Sequence, residues 1–380
     1  MKAARRDASR FSTLLPLALF GALSVACSEP DETRLLLDAL QAGPAPEPSA
    51  APDQIGAPSD DVNPRLLRRF APVRSQIESV NNPLTTDKVE LGRMLFFEAR
   101  LSKNHDLSCN SCHKLDAFGV DGLPTSTGHR GQKGSRNAPT VYNAAGFFAQ
   151  FWDGRMDTIE QQALGPIRNP VEMAAPSEDY CVRVLNSMPE YRESFKKAFP
   201  SENDPVTFAN IGQAIGAFER RLSTPARWDD YLRGNQHALS TAEREGLKLF
   251  TNIGCMVCHT GEMVGGSMYQ KVGVVEAWPN QADQGRFEVT KQEVDRMMFK
   301  VPTLRNIAKT APYFHDGSVA TLEGAVRRMA KHQLGLALSD IEVSQIVTWL
   351  GSLTGQPSAD LTRVPTLPPS TPETPSPDPT

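Results

Sequence analysis

The sequence carries no surplus of positive charge: Lys and Arg number 40 against 44 Asp and Glu, a formal net charge of −4. Without a basic excess there is little to neutralise a phosphate backbone, which argues against a nucleic-acid binder. Cysteine is scarce, six in 380 residues, too few for a disulfide framework in a chain of this length. Convincing runs of alternating apolar and polar residues are missing, so few strands are expected. Helical spacing takes their place: Ile211, Ile215, Phe218 and Leu222 fall on one face of a segment that opens near Val206. Ser240 with Glu243, and Ser339 with Glu342, have the spacing of capping boxes that open two further helices. The fold class expected is mainly α, and 41.6 kDa suggests two globular units with appendages.

The appendages lie at the two ends, where many of the prolines gather. Residues 1–27 read as a signal peptide, with Lys2, Arg5, Arg6 and Arg10 ahead of an apolar stretch from Phe11 to Val25 that is short for a bilayer span. Cleavage after Ala26 is one outcome. Lipoprotein processing, with a lipid anchor on Cys27, is the other, and both direct the chain to the periplasm. Residues 28–61 form a Pro/Ala-rich linker expected to be disordered, and residues 357–380 a disordered Pro-rich tail.

Between the ends the chain repeats itself. Leu91-Gly92-Arg93-Met94-Leu95-Phe96 precedes Cys109-Asn110-Ser111-Cys112-His113, and Gly246-Leu247-Lys248-Leu249-Phe250 precedes Cys255-Met256-Val257-Cys258-His259. Each copy is a short helical pattern followed by a loop and Cys-x-x-Cys-His, the signature of a duplicated domain. Two thiols so spaced can add across the vinyl groups of a haem while the adjacent histidine becomes an iron ligand. A redox dithiol does not need that histidine. Two covalent haem c groups follow, and an export signal suits them.

Five histidines remain for the opposite iron faces, His105, His129, His237, His315 and His332, together with Met263, Met268, Met297, Met298 and Met329. His129 lies in a loop with Gly128, Gly131 and Gly134 that is able to swing a ring. Spacing alone does not choose among them.

Further motifs give the chain a family likeness: Lys133-Gly134-Ser135-Arg136-Asn137-Ala138-Pro139-Thr140, Gln150-Phe151-Trp152-Asp153-Gly154-Arg155, Val171-Glu172-Met173, Val301-Pro302-Thr303-Leu304-Arg305-Asn306 and Ala311-Pro312-Tyr313-Phe314-His315-Asp316-Gly317. Over roughly residues 62–356 the chain resembles the bacterial di-haem cytochrome c peroxidases. The resemblance implies two cytochrome c-like domains, each with one covalent haem, meeting at an interdomain cleft. The peroxidatic haem domain is set at 62–230 and the electron-transfer haem domain at 231–356, with the seam within 224–240. It implies His113 as the proximal ligand of the first haem and His129 as its removable distal ligand, with Gln162 and Glu172 as the distal-pocket pair. His259 and Met329 would hold the second haem, and Trp152 would lie between the two. Asn137 by its side chain, and Thr310 and Pro312 by their carbonyls, would bind an interdomain calcium.

The bland readings are packing for Met329, which shares a helical face with Leu322 and Val326, with His332 as a rival ligand, and a surface carboxylate for Glu172. Cys181 reads as a buried free thiol, able to bridge Cys27 only if Cys27 escapes lipidation. The function implied is reduction of hydrogen peroxide to water with electrons from a small soluble cytochrome c or cupredoxin, by a homodimer. The alternatives are a di-haem oxidase that matures a tryptophan-derived quinone in a partner protein, whose family places tyrosine where Met329 stands here, and a non-catalytic electron carrier.

Overall fold

A computed structural model describes residues 62–380; the expected signal peptide, Cys27 and the expected linker 28–61 lie outside the described residues. Eight helices of eight or more residues are described: α1 Thr86–Phe96, α2 Ile159–Arg168, α3 Glu178–Asn186, α4 Pro189–Ala198, α5 Phe208–Glu219, α6 Thr241–Asn252, α7 Leu322–Met329 and α8 Asp340–Gly351. One short antiparallel pair, β1 Tyr269–Lys271 with β2 Met298–Lys300, joins Gln270 to Phe299. The protein is mainly α, as expected. Local chemistry starts the helices. Thr85 and Thr207 accept the N–H groups of Lys88 and Asn210 at the heads of α1 and α5, and the Ser240/Glu243 and Ser339/Glu342 capping boxes open α6 and α8.

Two large hydrophobic clusters form. The first joins Leu91, Leu95 and Phe96 of α1 to Val184, Phe195, Ile211, Ile215 and Phe218 of α3, α4 and α5. The second joins Leu247 and Phe250 of α6 to Trp228, Ile346, Trp349 and Leu350. The repeat in the sequence is a repeat in packing. A Cβ on Gly92 would lie 1.8 Å from the Ala214 carbonyl oxygen on α5, and one on Gly246 would lie 2.0 Å from the Gln345 carbonyl oxygen on α8. In each copy the glycine therefore lets a first helix cross its partner at backbone distance.

Residues 62–70 pack with the second cluster, although a split at 230 assigns them to the first. Phe70 meets Trp228 edge-on at 5.3 Å, and the Val73 N–H donates to Asp229 at 2.6 Å. Asp229 also takes both Nη atoms of Arg305, at 2.8 and 3.0 Å, in a fully buried pair.

The segment 357–380, expected to be disordered, is instead laid along the first cluster. Its extended backbone leaves carbonyls unpaired, and basic side chains of the folded part fill them. Arg93 donates to the Arg363 carbonyl at 2.6 Å, Arg100 to Pro368 at 2.8 Å and Lys103 to Thr380 at 2.7 Å. The Thr371 hydroxyl donates to the Ser187 carbonyl at 3.0 Å, and the Asp378 N–H to the Lys103 carbonyl at 2.9 Å. Low hydrophobicity is thus offset by a ladder of polar contacts.

Candidate active site

Both Cys-x-x-Cys-His segments fold as single tight turns, in which the histidine N–H returns to the first cysteine carbonyl: His113 to Cys109 at 2.9 Å and His259 to Cys255 at 3.1 Å. That turn sets two thiols and an imidazole on one wall. The Nδ1 atoms of His113 and His259 face the Gly119 and Val264 carbonyls at 3.3 and 3.4 Å, so both rings are anchored on one nitrogen and keep Nε2 for a ligand. Burial lowers the pKa of both, His259 to about 4, and keeps them neutral. Burial likewise raises the thiols of Cys109, Cys112 and Cys255, the last to about 12, so these three are protonated rather than thiolate.

Each turn opens on a cavity. The first, of about 600 Å³, is lined by Cys109, Cys112, His113, Trp152, Gln162 and Glu172. The second, of about 240 Å³, is lined by Cys255, Cys258, His259 and Met329, with Trp152 again on its wall. Trp152, Lys300 and the run Asn137–Thr140 face both cavities. The Trp152 indole N–H donates to the Asn137 carbonyl at 2.9 Å.

Gln162 comes from α2, and Glu172 from the turn after it, where the Glu172 N–H closes on the Asn169 carbonyl at 3.0 Å. Burial raises the Glu172 carboxyl above the usual carboxylate range, opposed by the nearby charge of Arg155 and a hydrogen bond from Asn169. Asn137 donates its side-chain amide to the Leu123 carbonyl at 2.9 Å and shares the second cavity's wall with Thr310 and Pro312.

Of three further histidines, two are off the cavity walls and one is on the second. His129 is buried but is not on the lining of the first cavity; its N–H donates to the Glu172 carbonyl at 2.7 Å and its Nε2 lies 3.2 Å from the Thr380 main-chain oxygen. His332 is off the second cavity's wall, with Nδ1 on the Glu276 carbonyl at 2.9 Å, whereas Met329 is on it. His315 is on the second cavity's wall; its carbonyl accepts from the Asn137 N–H at 2.8 Å, and its ring stacks on Phe299 at 4.2 Å. Cys181 is buried in the first cluster.

Two residues of the cavities escaped the sequence reading. Lys300 at the end of β2 is 6% exposed, its ammonium stands 4.2 Å from the Phe147 ring centroid, and burial lowers its pKa to about 8. Glu219 at the end of α5 lines the first cavity with Oε2 buried and unpartnered, and burial, then the charge of Glu160, pushes it up to about 8. A buried cation with no carboxylate in ion-pair range among the described residues is costly. The carboxylates of a haem would supply its counter-charge, so the cavity walls fit the group that the cysteine motifs call for. The only sequence cue to Lys300 is a lone lysine between Phe299 and Val301.

Helical packing and two cavities that each present a pair of thiols and an imidazole define a class, the c-type cytochromes with more than one haem site. Comparison with known proteins narrows it. Residues 86–237 match the model of the di-haem cytochrome c peroxidases. The cytochrome c551 peroxidase of Nitrosomonas europaea is 51% identical over 77% of this chain and 87% of its own. That of Pseudomonas aeruginosa is 44% identical over 84% and 94%. The crystal structure of a MauG-like protein associated with microbial copper homeostasis superposes with a TM-score of 0.68, at 30% identity, over 78% of this chain and 95% of that one. The chain belongs to the di-haem cytochrome c peroxidase family.

Proposed function

We propose that the chain reduces hydrogen peroxide to two waters, taking two electrons one at a time from a small soluble cytochrome c or cupredoxin and two protons from solvent. The observation that carries this reading is the meeting of Gln162 and Glu172 on the wall that also bears Cys109, Cys112 and His113. A haem held there by the two thiols and His113 would supply the iron needed for O–O cleavage. Glu172, with its raised pKa, is suited to take the proton from the inner peroxide oxygen and return it to the outer one, which leaves as water. The Gln162 amide orients peroxide by hydrogen bonding without competing for that proton.

His259 and Met329 would hold the second, electron-accepting haem, a thioether favouring the reduced iron. Trp152 stands on the shared wall as the bridge between the two. Asn137, Thr310 and Pro312 are oxygen donors of the kind calcium takes, and we assign the interdomain calcium to them. Met329 and the loop histidine His129 support the peroxidase over the oxidase that matures a partner's quinone. Export to the periplasm, with or without a lipid on Cys27, accompanies this function. Among the described residues no helix is long and apolar enough to cross a membrane.

The test is twofold: haem counted per chain after acidic acetone extraction, and peroxide-dependent oxidation of a reduced cytochrome c. Two retained haems with turnover are expected; one haem, or haem lost to the solvent, overturns the reading. Two haems without turnover point to the plain electron carrier.

A further inference from the structure

The Pro-rich segment does more than cover the first cluster: it ends against the loop histidine. His129 Nε2 lies 3.2 Å from the Thr380 main-chain oxygen. That oxygen can only accept, so Nε2 is the donor and carries the proton. A nitrogen committed in this way has no lone pair for a metal, and His129 is correspondingly off the wall of the first cavity. Resting on the reading of His129 as the removable distal ligand, we propose that residues 376–380 are a positioning strap that holds His129 out of the first haem site and so biases the enzyme towards the form open to peroxide.

The strap is built from both sides. Lys103 sits at its centre: its ammonium donates to the Thr380 oxygen at 2.7 Å and stands 3.4 Å from the Asp378 carboxylate, while its carbonyl accepts from the Asp378 N–H at 2.9 Å. Asp378 in turn accepts from the Thr380 N–H at 2.9 Å and its hydroxyl at 2.6 Å. The Lys103 N–H donates to the Met173 carbonyl at 2.9 Å, one residue past Glu172, whose own carbonyl holds the His129 N–H at 2.7 Å. Strap, Lys103, the Glu172–Met173 backbone and the histidine loop thus close a ring of hydrogen bonds beside the first cavity. The loop is seated tightly: a Cβ on Gly128 would lie 1.9 Å from the Val171 carbonyl oxygen. Upstream, the Arg100 and Thr371 contacts already fix the segment's course, so little chain entropy opposes the last contact.

Ligation of His129 through Nε2 and its contact with Thr380 exclude each other. Whatever orders the strap therefore shifts the loop equilibrium towards the open form, by as much as the contact favours it. A single net hydrogen bond moves such an equilibrium about fivefold.

The test uses the full-length ferric holoprotein, a chain stopped after Pro375, which keeps the Thr371 anchor, and each again with His129→Gly. The readouts are the high-spin fraction of the first haem by electron paramagnetic resonance and the rate of cyanide binding. Truncation should lower the ratio of open to closed form about fivefold and slow cyanide binding to match, with Lys103→Met in the full-length chain shifting both in the same direction. Adding His129→Gly to the truncated chain should restore the open state. If truncation and Lys103→Met both leave spin state and cyanide rate unchanged, the strap has no hold on the loop and the proposal is overturned. If truncation closes the haem but His129→Gly does not reopen it, another residue is the ligand, and the assignment of His129 falls along with its strap.

Discussion

Trp152 donates its indole N–H to the Asn137 carbonyl at 2.9 Å, while its own carbonyl accepts the Lys300 N–H at 2.7 Å. The ring on the shared cavity wall is therefore tied at one edge to a proposed calcium ligand and along its backbone to the buried lysine. Trp152→Phe keeps an aromatic ring but loses the donor. It should retain both haems, cost about 1 kcal/mol of stability, and slow the peroxide-driven oxidation of the second haem followed by stopped-flow. An unchanged rate would make the indole a packing residue.

Gly92→Ala and Gly246→Ala should each destabilise the protein. Either new methyl meets a backbone oxygen on the facing helix at 2.0 Å or less, and main-chain atoms cannot rotate away. Overpacking of this kind costs about 1–3 kcal/mol, read as a lower Tm in thermal unfolding, with Gly→Ser no better tolerated.

Glu160 on α2 and Arg220 just past α5 form a buried pair with Nε–Oε1 and Nη2–Oε2 distances of 2.8 and 3.1 Å, and Asn82 adds a third hydrogen bond at 3.0 Å. Burial alone would raise the carboxyl, but the bonds from Arg220 and Asn82 outweigh it and hold the pKa below the usual value. Its stabilising contribution is therefore present at neutral pH and is lost as pH falls through the unfolded and then the lowered folded pKa. Glu160→Gln should flatten the acid limb of a stability–pH curve. Arg220→Met leaves the buried carboxylate without its counter-ion and should cost about 3–5 kcal/mol at pH 7.

Met329→His replaces a thioether on the second cavity's wall by an imidazole. The potential of the second haem should fall in a spectroelectrochemical titration, because the imidazole favours ferric iron. An unaltered potential would return Met329 to the packing role that its face with Leu322 and Val326 suggests.

Much of the scaffold was legible in the sequence because it is set by local chemistry. The Ser240/Glu243 and Ser339/Glu342 boxes need only three-residue spacing, and the two cysteine motifs carry their geometry within five residues. What stayed hidden depends on partners distant in the chain. Phe70 joins the second cluster because Trp228 waits there, and Lys300 and Glu219 are buried by surroundings that no window around them reveals. The Pro-rich composition of 357–380 reports weak hydrophobicity but says nothing of Arg93, Arg100 and Lys103, whose side chains hold that segment down. His129 was recognisable as a loop histidine, yet its position against Thr380 was not.

The central claim is that Glu172 carries protons during peroxide cleavage in the first cavity, and the most direct measurement is kcat/KM for peroxide against pH in wild type and Glu172→Gln. Burial raises this carboxyl, so wild-type activity should fall as pH drops through a pKa above the ordinary carboxylate value, because only the ionised form accepts the peroxide proton. Glu172→Gln should lower kcat/KM on the order of 10²–10⁴-fold, erase that limb, and leave both haem spectra intact. A variant that keeps most of its activity and the same pH profile would contradict the account.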